Sequence, residues 1–370
     1  MNEWIDEPAR LDTWISRHSP PGSSGHVLVG MDTEFMRTDT FRPKLALIQA
    51  NLGGAIALLD APRLGTHAAL AARLRDPACI CVMHSASEDL EALAPILPDG
   101  PAALFDTQVA AALAGLGSGL SYQKLVALLL GVDLPKAETR SDWLQRPLTP
   151  AQLDYAAQDV AWLPEIHARL GVKLDDFGRA SWLAEDCARL VERICHAQPD
   201  TQPQRAFRGA ADWPRERQAL LRRVLLWRDA SARTLDKPRS WILDDARALS
   251  FVAQPPADGN ELFERSKGLR ALRSAQRQEL LALLQAPLST DELQIAPIPA
   301  PFTSAEKRLL ATMRDDVAAV AARLELPEGL LCPRRHLETL VSDRAWPAAL
   351  EGWRKPLLHD VLMKRITATA

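Results

Sequence analysis

The sequence predicts an α/β domain followed by two small all-α domains, and three observations lead to this fold class. β-rich runs alternate with helical periodicity in the first half, no strand pattern follows Arg215, and two proline-interrupted stretches divide the second half. The predicted layout is an α/β domain over 1–196, a linker over 197–212, a helical domain over 213–286, a Pro-rich linker over 287–302 and a second helical domain over 303–370.

In the first half, four apolar runs bounded by turn residues predict strands, at 26–35, 45–52, 55–60 and 79–84. Helical patterns follow at 66–75, 87–97 and 149–170. Ser87 is the expected cap of the second of these helices. Thr149 and Pro150 form an N-cap and first-position proline for the third.

The second half reads as helical throughout. Leu221, Val224 and Leu225 recur at the spacing of one helix face, and similar patterns continue to about residue 284 and again over 304–366. No low-complexity segment or short-period repeat interrupts these blocks.

Composition excludes several protein classes. The chain has 370 residues, of which 47% are hydrophobic and 25% charged, as expected of a globular protein with two or three domains. No apolar run approaches the roughly 18 residues of a spanning helix, and the acidic start lacks the pattern of a signal peptide. We therefore expect a cytoplasmic protein without a membrane partner. Five cysteines without a C-x-x-C pair argue against a disulfide framework or a structural zinc site.

Charge divides unevenly along the chain. Residues 1–200 hold 17 Lys and Arg against 26 Asp and Glu, whereas residues 201–370 hold 27 against 21. A basic half favours contact with a polyanion, although a solvated helix surface would show the same residues. The basic residues with the best placement for such contacts are Arg215, Arg222, Arg223, Arg228, Arg233, Lys237 and Arg239.

Three short motifs in the first half carry carboxylates. Asp32 and Glu34 lie two apart at the end of a predicted strand, so their side chains share a face and require a cation, a proton or solvent between them. Asp89 lies in the first turn of a predicted helix, and Tyr155 and Asp159 lie four apart on another. Each motif alone also fits an ordinary surface or helix role. Their combination within one α/β domain is the informative signal.

These motifs resemble the DEDD superfamily of 3′-to-5′ exonucleases, in the subclass with Tyr before the final Asp, and within it the ribonuclease D family. The resemblance rests on VGMDTEFMRTDTFRPKLALIQ, HSASEDLEAL, FDTQVAAAL and ETRSDWLQRPLTPAQLDYAAQDVAWL. The region from about 214 to 284 resembles an HRDC nucleic-acid-binding domain, and 303–370 a more divergent HRDC-like unit. The implied fold of the first domain is ribonuclease-H-like, with a mixed sheet flanked by helices.

The resemblance also implies a two-metal site for Mg²⁺ or Mn²⁺. Asp32 would bridge the two ions, Glu34 and Asp159 would complete the first site, and Asp89 would support the second. Tyr155 would orient the attacking water. Four oxygen donors suit these ions better than zinc, and paired ions suit an in-line displacement at phosphorus.

Other residues near these motifs are candidates for substrate contact. Phe35, Met36, Gln49 and His84 could line the nucleotide pocket, while Phe35 could equally be a core residue and His84 a packing or hydrogen-bonding residue. For Arg140 and Trp143, substrate contact and a structural role beside the final helix are both open.

The expected function is that of a monomeric 3′-to-5′ exoribonuclease that trims tRNA precursors and other structured RNAs and releases nucleoside 5′-monophosphates. A DNA repair or proofreading exonuclease would use the same carboxylates and is one alternative. A non-catalytic nucleic-acid adaptor is another, disfavoured because all four carboxylates and the tyrosine are present. A helicase is excluded because the chain has no Gly-Lys dipeptide and hence no Walker A loop.

Overall fold

A computed structural model describes residues 2–18, 26–65, 67–135 and 141–368. The chain divides into two compact units. The first comprises the chain up to residue 36, residues 44–197 and residues 305–370, and the second comprises residues 37–43 and 198–304. The C-terminal helices thus group with the α/β part of the chain. The boundaries of the two expected HRDC-type domains stay predictions.

The first unit is built on a mixed sheet with the strand order β1-β4-β3-β2-β5-β6. β2 pairs antiparallel with β3, and β3 with β4, whereas the remaining neighbours are parallel. Helices pack against the sheet, so the expected mixed sheet flanked by helices is confirmed. The strands are β1 (Glu3–Ile5), β2 (Val27–Met36), β3 (Lys44–Leu52), β4 (Ala55–Asp60), β5 (Cys79–Met83) and β6 (Leu104–Asp106).

The helices of the first unit come from both ends of the chain. In the N-terminal part they are α1 (Pro8–His18), α2 (Ala61–Leu64), α3 (Ala68–Leu74), α4 (Ser87–Leu93), α5 (Thr107–Leu113), α6 (Tyr122–Leu130), α7 (Pro150–Ala161), α8 (Leu163–Asp176) and α9 (Ala180–Cys195). Near the C-terminus they are α15 (Ser304–Leu324), α16 (Glu328–Leu331), α17 (Arg334–Asp343) and α18 (Lys355–Thr367), with short 3-10 turns at Ala348–Leu350 and Gly352–Arg354.

The four predicted strands are confirmed, and two short edge strands, β1 and β6, were not predicted. The helix predicted over 66–75 corresponds to α3, and Thr66 lies outside the described residues. The single helix predicted over 149–170 is two helices that meet at Trp162, where Pro164 cannot continue the hydrogen bonding of the first. Ser87 was wrongly predicted as a cap, because the N-cap of α4 is Ala86.

α7 is the helix that matters most for the site, and its sequence fixes where it begins. Thr149 accepts a hydrogen bond from the backbone N–H of Gln152, whose side chain bonds back to the N–H of Thr149. At the other end, the Asn51 side chain of β3 donates to the carbonyl oxygens of Val160 and Ala161, at 2.9 and 3.2 Å. The helix is therefore held to the sheet at both ends.

The second unit is helical in every described regular element, as predicted. Its core contains Leu221, Val224 and Leu225 from the predicted helix face. It consists of 3-10 turns at Pro203–Ala206 and Arg208–Ala210 and of α10 (Arg215–Leu235), α11 (Arg239–Ile242), α12 (Asp245–Ala253), α13 (Gly259–Arg265) and α14 (Ser274–Gln285). Among the described residues of both units, no helix has the length and apolarity that crossing a membrane requires.

Candidate active site

The candidate site forms where α7 lies on β2. Asp32 and Glu34 point to the same face of β2, and Asp159 reaches that face from α7. One carboxylate oxygen from each of these three residues lies within 4.8 Å of the others. The predicted meeting of the strand and helix carboxylates is thus present in the structure.

Close packing between the sheet and the helices allows this approach. A Cβ atom at Gly30 of β2 would lie 3.2 Å from the Cβ of Leu163, the first residue of α8. Few Cβ contacts are that short, so a side chain at position 30 would push α8, and with it the end of α7, away from the strand that carries Asp32.

Asp89 approaches β2 beside this cluster. Thr33 lies between Asp32 and Glu34 and, because side chains alternate along a strand, points away from both. Its hydroxyl donates a hydrogen bond of 2.6 Å to the Asp89 carboxylate. Asp89 is almost fully buried and is close enough to raise the pKa of Asp32 by charge repulsion. The sequence gave no sign of the part that Thr33 has here.

The loop before α4 is held by a second acid that sequence analysis missed. Asp106, at the end of β6, accepts hydrogen bonds from the backbone N–H groups of Ser85 and Ala86, at 3.1 and 2.9 Å. It also caps α5. Asp106 lies in the FDTQ motif, so the motif marked an important residue without showing that it fixes the start of the helix carrying Asp89.

Burial and mutual repulsion disfavour negative charge in the cluster. Burial, followed by repulsion from Asp159 and Asp89, raises the pKa of Glu34 from 4.5 to about 8. Burial also raises the pKa of Asp159 to about 7, against the opposing hydrogen bond from Tyr155. The same causes place the pKa of Asp32 well above its usual range. A bound cation would relieve the repulsion, and a set made only of carboxylate oxygens fits a hard divalent ion.

Tyr155 lies one turn before Asp159 on α7, as its spacing predicted. Burial and the neighbouring carboxylates raise the pKa of its hydroxyl, which therefore stays protonated at neutral pH. Its ring lies 6.0 Å from that of Trp143, a buried member of the same apolar cluster. Trp143 thus takes the structural role, and Arg140 lies outside the described residues.

The four candidates for substrate contact differ in position. Phe35 and Met36 lie half-buried at the end of β2, next to Glu34. Gln49 pairs with Asp32 across the sheet and is fully buried. Both ring nitrogens of His84 have partners inside the protein, at 2.8 Å from the Thr107 hydroxyl and 3.0 Å from the carbonyl oxygen of Leu120. Its ring nitrogens are thus occupied by protein groups, as expected of a hydrogen-bonding residue.

The predicted basic surface of the second unit is partly internal. Arg223 binds the Glu292 carboxylate through two hydrogen bonds of 2.6 Å, and its side chain is 10% exposed. Arg228 pairs with Asp245 at 2.6 Å and is 12% exposed. These two residues are therefore removed from the predicted RNA-contacting surface, because burial and pairing engage their charges.

The other five basic residues keep more exposure. Arg215 and Arg222 each donate to a backbone carbonyl oxygen. Arg233 and Arg239 share the Asp229 carboxylate and lie on the ring of Phe41, each 4.7 Å from its centre, while Lys237 donates to the carbonyl oxygen of Asp39.

Comparison with known proteins gives matches over the full chain. The sequence model of the 3′-5′ exonuclease family matches residues 2–175. A ribonuclease D of Xanthomonas oryzae pv. oryzae is 42% identical over 373 residues, covering 100% of this chain and 99% of the relative. A ribonuclease D of Pseudomonas paraeruginosa is 33% identical, covering 91% and 92%.

A solved structure matches the whole chain as well. The crystal structure of Escherichia coli RNase D, described as an exoribonuclease involved in structured RNA processing, has a TM-score of 0.84 at 26% identity and covers 100% of this chain and 99% of that chain. The resemblance drawn from the motifs is thereby confirmed.

Proposed function

The chain belongs to the ribonuclease D family and is a 3′-to-5′ exoribonuclease, and from this premise we propose that it trims the 3′ ends of tRNA precursors and other structured RNAs. Each step would hydrolyse the terminal phosphodiester bond and release a nucleoside 5′-monophosphate. The observation that carries this proposal is the convergence of three carboxylates within 4.8 Å, with Asp89 and Tyr155 beside them.

Two divalent ions, Mg²⁺ or Mn²⁺, would be held by Asp32, Glu34, Asp89 and Asp159. When bound, they would polarise the phosphate and make water a better nucleophile. Asp32 is the best placed to serve both positions, because Glu34 and Asp159 on one side and Asp89 on the other all repel its charge. The raised pKa of Glu34 makes this a site that loses protons as it gains cations.

Tyr155 would orient the attacking water without removing its proton. Its hydroxyl stays protonated and interacts with the Asp159 carboxylate. In the balanced reaction, the water oxygen bonds to phosphorus, the bond from phosphorus to the 3′ oxygen breaks, and that oxygen leaves as a hydroxyl after taking up a proton. Phe35 and Met36 would contact the terminal nucleotide, since they lie next to Glu34 and retain exposed surface.

The helical regions would hold structured RNA, with an HRDC-type domain over 213–286 and a divergent relative over 303–370. Phosphate contacts would come from the basic residues that keep exposed surface, and affinity would fall as salt rises. We expect a cytoplasmic monomer. The candidates for these contacts are Arg215, Arg222, Arg233, Lys237 and Arg239.

A time course on a 5′-labelled tRNA precursor with a short 3′ extension tests this function. We expect stepwise shortening from the 3′ end that requires Mg²⁺ or Mn²⁺, stops near the mature end and releases nucleoside 5′-monophosphates. A DNA strand of matched sequence is the control. Preference for DNA, or shortening in a chelator, would contradict the proposal. Equal trimming of an unstructured RNA would contradict only the tRNA assignment.

A further inference from the structure

A cavity of about 660 Å³ lies between α9 and the C-terminal helices, within the first unit. Its walls are held by specific contacts. Arg354 binds the Asp186 carboxylate through both of its terminal nitrogens, and Arg189 donates to the carbonyl oxygens of Ala349 and Glu351. Trp182 of α9 stacks on Trp353 at 4.4 Å with the rings nearly parallel. The cavity is therefore enclosed by an ordered interface.

Positive charge remains at this cavity after the walls are formed. Arg193 and Arg335 line it, are exposed, and meet no carboxylate among the residues that the structure describes. Asp186, which also lines it, is already paired with Arg354. His336 lies between these groups, and burial together with Arg335 and Arg354 lowers its pKa, so it adds no charge at neutral pH.

The remaining lining is apolar. Leu190, Leu330 and Leu350 contribute surface suited to a base or sugar, while the two unpaired guanidinium groups suit phosphate oxygens. The volume lies within the range of small-molecule sites. We propose that this cavity binds a nucleoside phosphate, either a free mononucleotide or one nucleotide of an RNA chain. This proposal does not depend on the function proposed for the acidic cluster.

Binding to the full-length protein in a chelator isolates the cavity, because the acidic cluster without cations repels phosphate. The probes are AMP, measured by calorimetry, and a labelled single-stranded oligoribonucleotide, measured by anisotropy. We expect the double variant Arg193→Ala/Arg335→Ala to weaken binding of at least one probe by tenfold or more. The control Arg308→Ala/Arg334→Ala removes the same charge from exposed positions of α15 and α17 outside the cavity.

The two probes identify the source of the ligand. Loss of AMP binding in the cavity variant indicates a free nucleotide, and loss confined to the oligoribonucleotide indicates a contact with the RNA chain. Equal affinities of the cavity variant and the control variant for both probes would overturn the proposal.

A second inference concerns Gln49, and an independent observation carries it. Gln49 is fully buried, pairs with Asp32 across β2 and β3 and shares its sheet face, yet neither its amide nitrogen nor its amide oxygen has a hydrogen-bond partner in the described structure. Asn51, two residues further on the same face of β3, uses its amide fully. A buried amide without partners is unfavourable, and one beside a charged site usually serves a water or an ion shell.

We infer that Gln49 is a positioning residue whose Nε2–H group holds the Asp32 carboxylate in place when the cation is bound. This inference rests on the proposed metal site. Supporting groups of this kind typically change metal affinity by about 10 to 100-fold when removed. Its interior position distinguishes this role from the direct substrate contact that its sequence position first indicated.

Gln49→Met keeps the side-chain length and removes both polar groups. We expect the metal-free variant to unfold at a temperature a few degrees higher, because an unpaired amide is gone, and to bind Mn²⁺ at least tenfold more weakly by calorimetry without RNA. Ile48→Met, a buried change on the opposite face of β3, is the control and should leave Mn²⁺ affinity unchanged.

Mn²⁺ affinity is the deciding readout. A folded Gln49→Met variant that binds Mn²⁺ as tightly as the unmodified protein would overturn the inference. Absence of Mn²⁺ binding in the unmodified protein would instead overturn the proposed metal site on which it rests.

Discussion

At the scale of single residues, the site concentrates carboxylates where burial opposes their charge. The sequence predicted which residues carry the acids, and the structure adds why they need a cation. Glu34 shows this most directly, because burial and two neighbouring acids raise its pKa to about 8. Metal affinity should accordingly increase with pH up to this value, since each ligand must lose its proton to bind.

The raised pKa of Glu34 also predicts how stability depends on pH. Below its ordinary pKa of 4.5, Glu34 is protonated in both the folded and unfolded states. Between pH 4.5 and 8, the unfolded chain releases a proton that the folded protein keeps, so the metal-free protein loses stability as pH rises. Glu34→Gln removes this loss. Its advantage in unfolding temperature over the unmodified protein, measured in a chelator, should grow from pH 4.5 to 8. Parallel pH profiles would contradict this account of Glu34.

Tyr155→Phe should slow hydrolysis without weakening metal or RNA binding. The hydroxyl orients water, and losing such a group lowers the rate by about 100-fold. Single-turnover rates, compared with Mn²⁺ and RNA affinities of the same variant, test this. A comparable fall in either affinity would assign Tyr155 to binding.

At the scale of elements, the sequence predicted the strand and helix that carry the acids, because β2 has an apolar run and α7 has a strong N-terminal signal. The short strands β1 and β6 could not be predicted, since three residues show no periodicity and depend on pairing with distant strands. The division between α7 and α8 depends on Pro164. The hydrogen bond from Thr33 to Asp89 joins residues 56 apart, and only the fold brings them together.

The N-terminal cap of α7 gives a prediction at this scale. Thr149→Ala should lower the free energy of unfolding by about 1 kcal/mol or slightly more, because it disrupts a reciprocal pair of hydrogen bonds. Ser121→Ala is the comparison, since Ser121 caps α6 through a single hydrogen bond. Urea unfolding measures both, and a larger loss for Ser121→Ala would argue against the importance of the α7 cap.

At the scale of the whole molecule, the C-terminal helices group with the α/β part of the chain. Neither composition nor periodicity indicated this, because the contacts join residues far apart in the sequence. The pair of Asp186 on α9 and Arg354 near the C-terminus is the clearest example, with side chains 12% and 10% exposed.

Breaking that pair should destabilise the protein strongly. Arg354→Met leaves Asp186 as a buried charge without its main partner, and we expect a loss of about 3 kcal/mol. The double variant Arg354→Met/Asp186→Leu should recover much of this loss, because it removes the unpaired charge. Urea unfolding measures both. A double variant no more stable than the single variant would show that the charge pair is not the source of the effect.

The most direct test of the central claim, that the acidic cluster performs hydrolysis while other surfaces hold the RNA, is a paired measurement on Asp159→Asn. Single-turnover hydrolysis and RNA affinity are measured on the same folded preparation with Mn²⁺, and Asp154→Asn, an exposed change on the same helix, controls for the lost charge. We predict that Asp159→Asn abolishes hydrolysis and keeps RNA affinity within about twofold of the control. Hydrolysis that persists, or RNA affinity that falls together with it, would contradict the account.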